Sequence, residues 1–292
     1  MATHPATTVA KLQKHLDELP TLPTVLMDLM RSDPNADGYF DRVQRLVSGD
    51  PAFATRLLRY ANSPASAPMK PIVRVKDALS RLGCAQAVNL VIAASATRVF
   101  VPHTPWEKDL WVHAVNVANI AQHLAPCFGP PRIDPEEAYT CGLLHDLGRF
   151  VLYLEAPAEL RAIDETDWET PLALIEAERR LCGFTHAELG AMAAAKWDLP
   201  VTIATVIRLH HSPPDSGVTP EQRALIELVR TADWLDISLR KAGDWHQLDD
   251  DAIHTRGLFY RGMRTESWTD RAAHLTREGL VNAEHTIAAL GL

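Results

Sequence analysis

The sequence predicts an all-α protein of two packed helical lobes, and three observations carry that expectation. No series of alternating Val, Ile and Thr segments broken by Asn-Gly or Asp-Gly turns runs through the chain, so a sheet has no local support. Apolar residues recur at helical spacing instead. Helix starts are also written in the local chemistry. Asp134-Pro135-Glu136-Glu137, Thr185-His186-Ala187-Glu188 and Thr219-Pro220-Glu221-Gln222 each pair an N-cap oxygen with a Glu or Gln three residues on, the pattern of a capping box.

The elements follow in order. Residues 1–19 hold no basic segment followed by an apolar run, so no leader peptide is expected, and no stretch reaches the roughly 20 apolar residues of a membrane span. Residues 1–104 form the first lobe, its helices separated by Pro20 and Pro23, Asp33-Pro34, Asp50-Pro51 and Ser63-Pro64. The proline-punctuated segment VPHTPW, 101–106, then ends the apolar run AVNLVIAASATRVF and sets the boundary. Residues 105–242 form the second lobe. Residues 243–292, with Gly243, Gly257, Gly262 and Gly279 and a weaker pattern, read as a helical extension. No fixed-period repeat is visible, which disfavours a solenoid.

Composition narrows the function. The chain has 292 residues, 47% of them apolar and 23% charged, an ordinary globular makeup that excludes collagen-like and wholly disordered chains. Twenty-nine basic against 37 acidic side chains give a net charge of −8, and no Lys/Arg block exceeds a pair, so direct nucleic-acid binding is not expected. Cys84, Cys127, Cys141 and Cys182 are widely spaced without a CxxC pair; neither a disulfide framework nor a thiolate zinc site is indicated, and a reducing cytoplasm fits.

Histidines and acids supply the candidate chemistry. Leu110, His113, Val117, Ile120 and Leu124 share one helix face, so His113 points inward, either as a hydrogen-bonded core histidine or as a ligand. His145 and Asp146 sit on a helix that opens at the Asp134 cap and runs on through Leu154. They differ by about 100° in direction, so both can reach one ion, although an Asp146–Arg149 pair on a wetted face accounts for the same spacing. His186 lies in a capped first turn. His210 and His211 end the helix that begins near Pro200, where helix-dipole interaction explains one cationic histidine more easily than two. Asp233 interrupts the apolar stripe of Ile226, Val229 and Ile237, and an inward carboxylate requires a cation, a histidine or a buried Arg. Together His113, His145, Asp146, His186, His210, His211 and Asp233 are imidazole and carboxylate donors without a thiolate. They suit one or two ions of Fe, Mn, Mg or Zn, gathered in a bundle core where two ions activate water and clamp a phosphate oxygen.

The order H…HD…H…HH…D resembles the HD superfamily of metal-dependent phosphohydrolases. Over about residues 17–240 the chain is similar to one branch, the HDOD (HD-related output domain) proteins of bacterial signalling. Leu19-Pro-Thr-Leu-Pro23, Asp50-Pro51 leading through RLLRYANSP, Ala78-Leu-Ser-Arg-Leu-Gly83, GLLHDLGR and ERRLCGFTHAELGAMAAAKWDLP carry the resemblance. It implies an HD-like second lobe and a cytoplasmic, regulatory module that acts through a protein partner or ligand without hydrolysis. No membrane association is expected, and residues 1–16 are too short to hold a receiver. The alternative within the same resemblance is a metal-dependent phosphohydrolase acting on a nucleotide or cyclic dinucleotide. In that case His113, His145, Asp146 and Asp233 hold one ion, His186, His210 and His211 take a second ion or the phosphate, and Arg149 stabilises phosphoryl charge. Two departures from the related HD-GYP phosphodiesterases argue against cyclic di-GMP cleavage: His210-His211 is followed by Ser-Pro-Pro-Asp-Ser-Gly217 rather than a GYP loop, and Arg149 stands where those enzymes carry Lys.

Overall fold

Proline placed just after a capping side chain starts many of the helices, because its missing N–H costs nothing there and its fixed φ is already helical. Asp50 caps Pro51–Ala61, Thr104 caps Pro105–Leu124, Asp134 caps Pro135–Leu144, Thr170 caps Pro171–Cys182 and Thr219 caps Pro220–Lys241, each side chain accepting a first-turn N–H. Reciprocal capping boxes close at Thr185/Glu188 and Thr219/Gln222 as the sequence predicts, and also at Thr104/Glu107. At Asp134 the expected box does not form. Glu137 hydrogen-bonds Thr202 instead.

The computed structural model describes residues 19–64, 66–128, 130–166, 168–258 and 270–292; the expectations for residues 1–18 and Gly262 lie outside them. The described chain is helical, with no strand among the described residues. Its order is α1 (Thr24–Met30), α2 (Tyr39–Gly49), α3 (Pro51–Ala61), α4 (Val75–Val99), α5 (Pro105–Leu124), α6 (Pro135–Leu144), α7 (Leu147–Glu155), α8 (Pro157–Asp164), α9 (Pro171–Cys182), α10 (His186–Lys196), α11 (Val201–Leu209), α12 (Pro220–Lys241), α13 (Asp250–Leu258) and α14 (Asp270–Leu290).

Helices α1, α2 and α3 pack on α4. Gly83 interrupts α4 at φ +83°, ψ 159°, a conformation that a side chain disfavours. Beyond this kink α4 is buried from Ala87 to Thr97. By length and composition α4 could cross a membrane, yet most of its apolar stretch is packed inside the protein. In the second half of the chain, α5 is the central rod, flanked by α6, α12 and α14, while α10 packs on α7 and α11. An aromatic seam joins the two halves. Phe100, which follows α4, lies 5.4 Å from Phe150 and 6.1 Å from Trp197 between ring centroids, and Trp111 of α5 lies 4.4 Å from Phe150. Each such ring contributes roughly 1.5–3 kcal/mol by burial. The indole of Trp197 also donates to the Pro20 carbonyl, 3.0 Å, which ties the end of α10 to the LPTLP segment.

The continuous helix expected from Asp134 to Leu154 is two helices. α6 ends at Leu144 and α7 starts at Leu147, with Asp146 at φ −91°, ψ 23° between them. The break falls on the His-Asp pair itself and leaves both side chains buried. A wetted-face Asp146–Arg149 pair is thereby excluded. Arg149 is buried too and pairs with Asp164 at the end of α8, its Nε remaining 3.9 Å from Asp146 Oδ2.

Candidate metal centre

All seven donors meet among the helices from α5 to α12, delivered by α5 (His113), the α6–α7 break (His145, Asp146), the first turn of α10 (His186), the end of α11 (His210, His211) and the middle of α12 (Asp233). Asp146 is their common member. Ligand atoms of Asp146, His186, His210 and His211 all lie within 4.8 Å of one another, as do those of His113, His145 and Asp146. Asp146 Oδ1 is 3.1 Å from His186 Nε2 and 3.5 Å from both His145 Nε2 and His210 Nε2, while Oδ2 is 3.7 Å from His113 Nε2. Asp233 Oδ1 joins the second group, 3.3 Å from His113 Nε2 and 3.9 Å from His145 Nε2. The geometry is two half-sites sharing one carboxylate.

The imidazoles are held from behind. Nδ1 of His145 contacts the Gly142 carbonyl at 2.7 Å and Nδ1 of His210 the Ile207 carbonyl at 2.8 Å. A carbonyl only accepts, so these Nδ1 atoms donate, and in the neutral ring each Nε2 then carries the lone pair. Glu178 holds His186 Nδ1 at 2.7 Å, and Asp236 holds His113 Nδ1 at 2.6 Å. Asp236 is itself fixed by Asn116 Nδ2 at 2.7 Å. Such outer partners orient metal-ligating imidazoles and raise their basicity. The sequence reading missed Glu178, Asp236 and Asn116, although Glu178 interrupts the buried stripe Leu174, Ala177 and Cys182 of α9 by the same signal that revealed Asp233.

Two features fit a cation at this place. His145 is fully buried and its Nε2 has no hydrogen-bond partner, although it faces the oxygens of Asp146 and Asp233. Lone pair against carboxylate is repulsive without a positive charge between them. His186 Nε2 and His210 Nε2 lie 3.0 Å apart, a distance at which two nitrogens need a proton or a cation between them.

The charges agree with that geometry. Burial opposes protonation of His113, but hydrogen bonds to Asp233 and Asp236 and their charges overcome it and raise its pKa to about 10. His186 reaches about 10 in the same way, through Glu178 and Asp146. Burial pushes His145 down to about 4, against the pull of Asp146, and drives His211 well below its ordinary range, helped by His210 and His186. Burial favours a neutral Asp146, yet the imidazoles around it hold it well below the usual carboxylate range.

Backbone packing sets the register. A Cβ on Gly148 would stand 1.9 Å from the His186 carbonyl oxygen and 2.8 Å from Gly190 N, so only glycine lets α7 approach the first turn of α10 and bring Asp146 to His186. Gly148→Ala is expected to lower stability by about 1–3 kcal/mol or more, as overpacking does, and to weaken ion binding. Thermal melting and metal titration of the variant check this, and wild-type values in both would refute the close-approach argument. Arg230 of α12 fixes the other side, donating through Nε to the His210 carbonyl at 2.8 Å and through Nη2 to those of Leu209, 2.6 Å, and Ser212. It thereby satisfies carbonyls at the end of α11 that have no partner within the helix.

A cavity of about 490 Å³ opens on the centre. Buried Asp146, Asp233, Asp236 and Arg149 form its base with His113 and His211, and the more exposed Trp106, Trp168, Arg240 and Lys241 stand at its mouth.

Known proteins show the same architecture. A candidate phosphohydrolase from Shewanella amazonensis SB2B is 26% identical, with 97% of each chain covered and a TM-score of 0.67. An HDOD domain protein of unknown function from Geobacter sulfurreducens is 24% identical, with 98% of each chain covered and a TM-score of 0.71. An uncharacterized protein of Treponema pallidum (strain Nichols) shares 30% identity over 223 residues, 76% of this chain, and the chain spans 43% of that relative's length. The HDOD domain profile matches residues 19–213, from the LPTLP segment through the paired histidines, and on that match the chain belongs to the HDOD domain family.

Proposed function

We propose that the protein is a signal-transduction module of the HDOD kind that holds a divalent ion between Asp146 and its ring of imidazoles and acts through a protein partner. The observation that carries this reading is the unpartnered, buried Nε2 of His145, one of several Nε2 atoms aimed inward by partners fixed on Nδ1. A donor set rich in imidazole suits Fe, Mn or Zn better than Mg, which prefers oxygen. The two half-sites give room for one ion or two. Elemental analysis of purified protein tests the reading beside His145→Ala and Asp233→Ala. Near-stoichiometric metal is expected in the native chain and loss of the ion from the His113 half-site in either variant, since each removes a direct ligand of that half-site. A native protein that takes up no metal from Fe, Mn or Zn would overturn the proposal.

One observation favours a second reading, a metal-dependent phosphohydrolase: the cavity reaches Asp146, Asp233 and Arg149 directly. A divalent ion at such a place supplies Lewis-acid activation of water. The chain's own part is to orient a phosphate with Arg149, whose buried Nε has no hydrogen-bond partner, and to keep bulk water out with Trp106 and Trp168. Turnover of nucleoside phosphates by Mn-loaded protein, lost in Asp146→Ala, would establish it over the first reading.

A further inference from the structure

The connection from α3 to α4 differs from the rest of the chain in charge. Residues 51–76 hold five Lys and Arg and no acid, in a chain whose net charge is −8. Two of the five are used inside the protein. Arg56 donates to the Ala94 carbonyl at 3.4 Å, and Arg59 to those of Ala288 and Ala289 at 3.3 and 3.4 Å. Lys70, Arg74 and Lys76 are exposed, and none of their side chains makes an ion pair or hydrogen bond among the described residues. Arg74 and Lys76 also stand at the start of α4, where the helix dipole is positive, so they add to its field, and Asp77 in the same turn offsets only part of it.

Apolar surface accompanies the charge. Met69 is fully exposed and Val73 is 75% exposed, the two most exposed large apolar side chains among the described residues. The segment is nevertheless held in place. Asn62 Oδ1 accepts from the Ile72 N–H at 2.8 Å, while its Nδ2 donates to the Ile72 carbonyl at 2.8 Å and the Leu58 carbonyl at 2.7 Å. Arg81 grips Ser66, through Nε to Oγ at 2.7 Å and through Nη2 to the carbonyl. Ile72 packs on the core and Val73 beside it faces water. One exposed apolar side chain is ordinary. Two on a pinned connection, among three unpaired cations, form a surface already ordered for a partner that carries the opposite charge.

We propose that residues 69–76 are the docking surface for the protein partner, and that the partner presents a segment of Asp and Glu side chains around one or two aliphatic ones. This rests on the partner-binding part of the reading above and gives it a place on the molecule. The acids answer Lys70, Arg74 and Lys76, and the aliphatic groups cover Met69, whose flexible thioether adapts to irregular apolar surfaces, and Val73. Charge also selects against other occupants. A second copy meeting the same surface about a two-fold axis brings cation against cation. Three cations and two apolar side chains fall well short of the anchors that stable membrane attachment needs, and a nucleic-acid backbone needs a wider positive face.

The probe is a fluorescein-labelled peptide of Glu, Asp and Leu, added to the full-length protein at low salt and followed by anisotropy. Saturable binding is expected, weakened about tenfold or more by roughly 0.5 M NaCl. The double variants Lys70→Glu/Arg74→Glu and Met69→Ser/Val73→Ser should each cost about tenfold or more. All four side chains are exposed, so circular dichroism of these variants should stay native. Val201→Ser, at a comparably exposed valine on α11, should change nothing. Asn62→Ala removes no contacting group but releases the segment, and should weaken binding several-fold. No saturable binding, or binding that survives both double variants, would overturn the proposal. So would equal binding of a peptide with Ser in place of Leu, tighter attachment to phosphatidylserine vesicles than to the peptide, or self-association of the protein that Lys70→Glu abolishes. None of these results touches the metal content of the native protein, which tests the ion-centre reading separately.

Discussion

Asp146→Asn is expected to abolish ion binding in both half-sites while the helices stay folded. The carboxylate is the one group present in each cluster, Oδ1 serving His145, His186 and His210 and Oδ2 facing His113. An amide matches it in shape but brings no charge and only one acceptor oxygen. Fold integrity follows from what remains: His186 keeps Glu178 at 2.7 Å, His113 keeps Asp236 at 2.6 Å, and the new NH2 can donate to a bare Nε2. Glu178→Gln provides the scale, because it disturbs only the orientation and basicity of His186 and should cost about 10- to 100-fold in affinity. The Asp146→Asn loss should exceed that range. Metal titration followed by elemental analysis after dialysis gives the numbers, and circular dichroism reports the fold. Ion retained at native stoichiometry would show that Asp146 is not the shared ligand.

Where a donor breaks a helical stripe, the sequence already shows it. His113 within Leu110, Val117 and Ile120, and Asp233 within Ile226 and Val229, are visible from periodicity alone, and His186 is placed by its capping box. Two kinds of information are missing from that pattern. One is local backbone geometry: nothing in the apolar run from Tyr139 to Leu154 marks the interruption at His145-Asp146, which tertiary contact between Gly148 and Gly190 stabilises. The other is pairing across long separations. Asp236 meets His113 from 123 positions away, and Asp164 reaches Arg149 from a different helix, so each looks like an ordinary surface acid until the lobe is assembled. Trp168 lies in an irregular segment with no period to reveal it, and its role at the cavity mouth is legible only in three dimensions.

Ion affinity should climb steeply with pH, by about 100-fold per unit between pH 6 and 9, and level off near pH 10. In the ion-free centre burial opposes the charge on His113 and His186, yet their carboxylate partners hold both near pKa 10, so each carries a proton at neutral pH. His186 and His113 stand in different half-sites, so filling the whole centre displaces both protons, one from each ring, and a two-proton exchange gives that slope for the filled centre. His145, pushed down to about 4, has none to release in this range. Calorimetry at pH 7 in buffers of different ionisation enthalpy should count about two protons released per filled centre; a count near zero would mean that the rings are neutral before the ion arrives. The same raised values fix the sign of the stability change. Both groups bind protons more tightly folded than unfolded, so their contribution in ion-free protein is fully present below pH 6.5 and is lost as pH rises through about 10. With the ion in place its charge replaces the protons, and melting temperature should no longer fall across that interval. Parallel melting curves with and without metal from pH 7 to 10 decide the matter, since the prediction requires the two to diverge as the solution becomes alkaline.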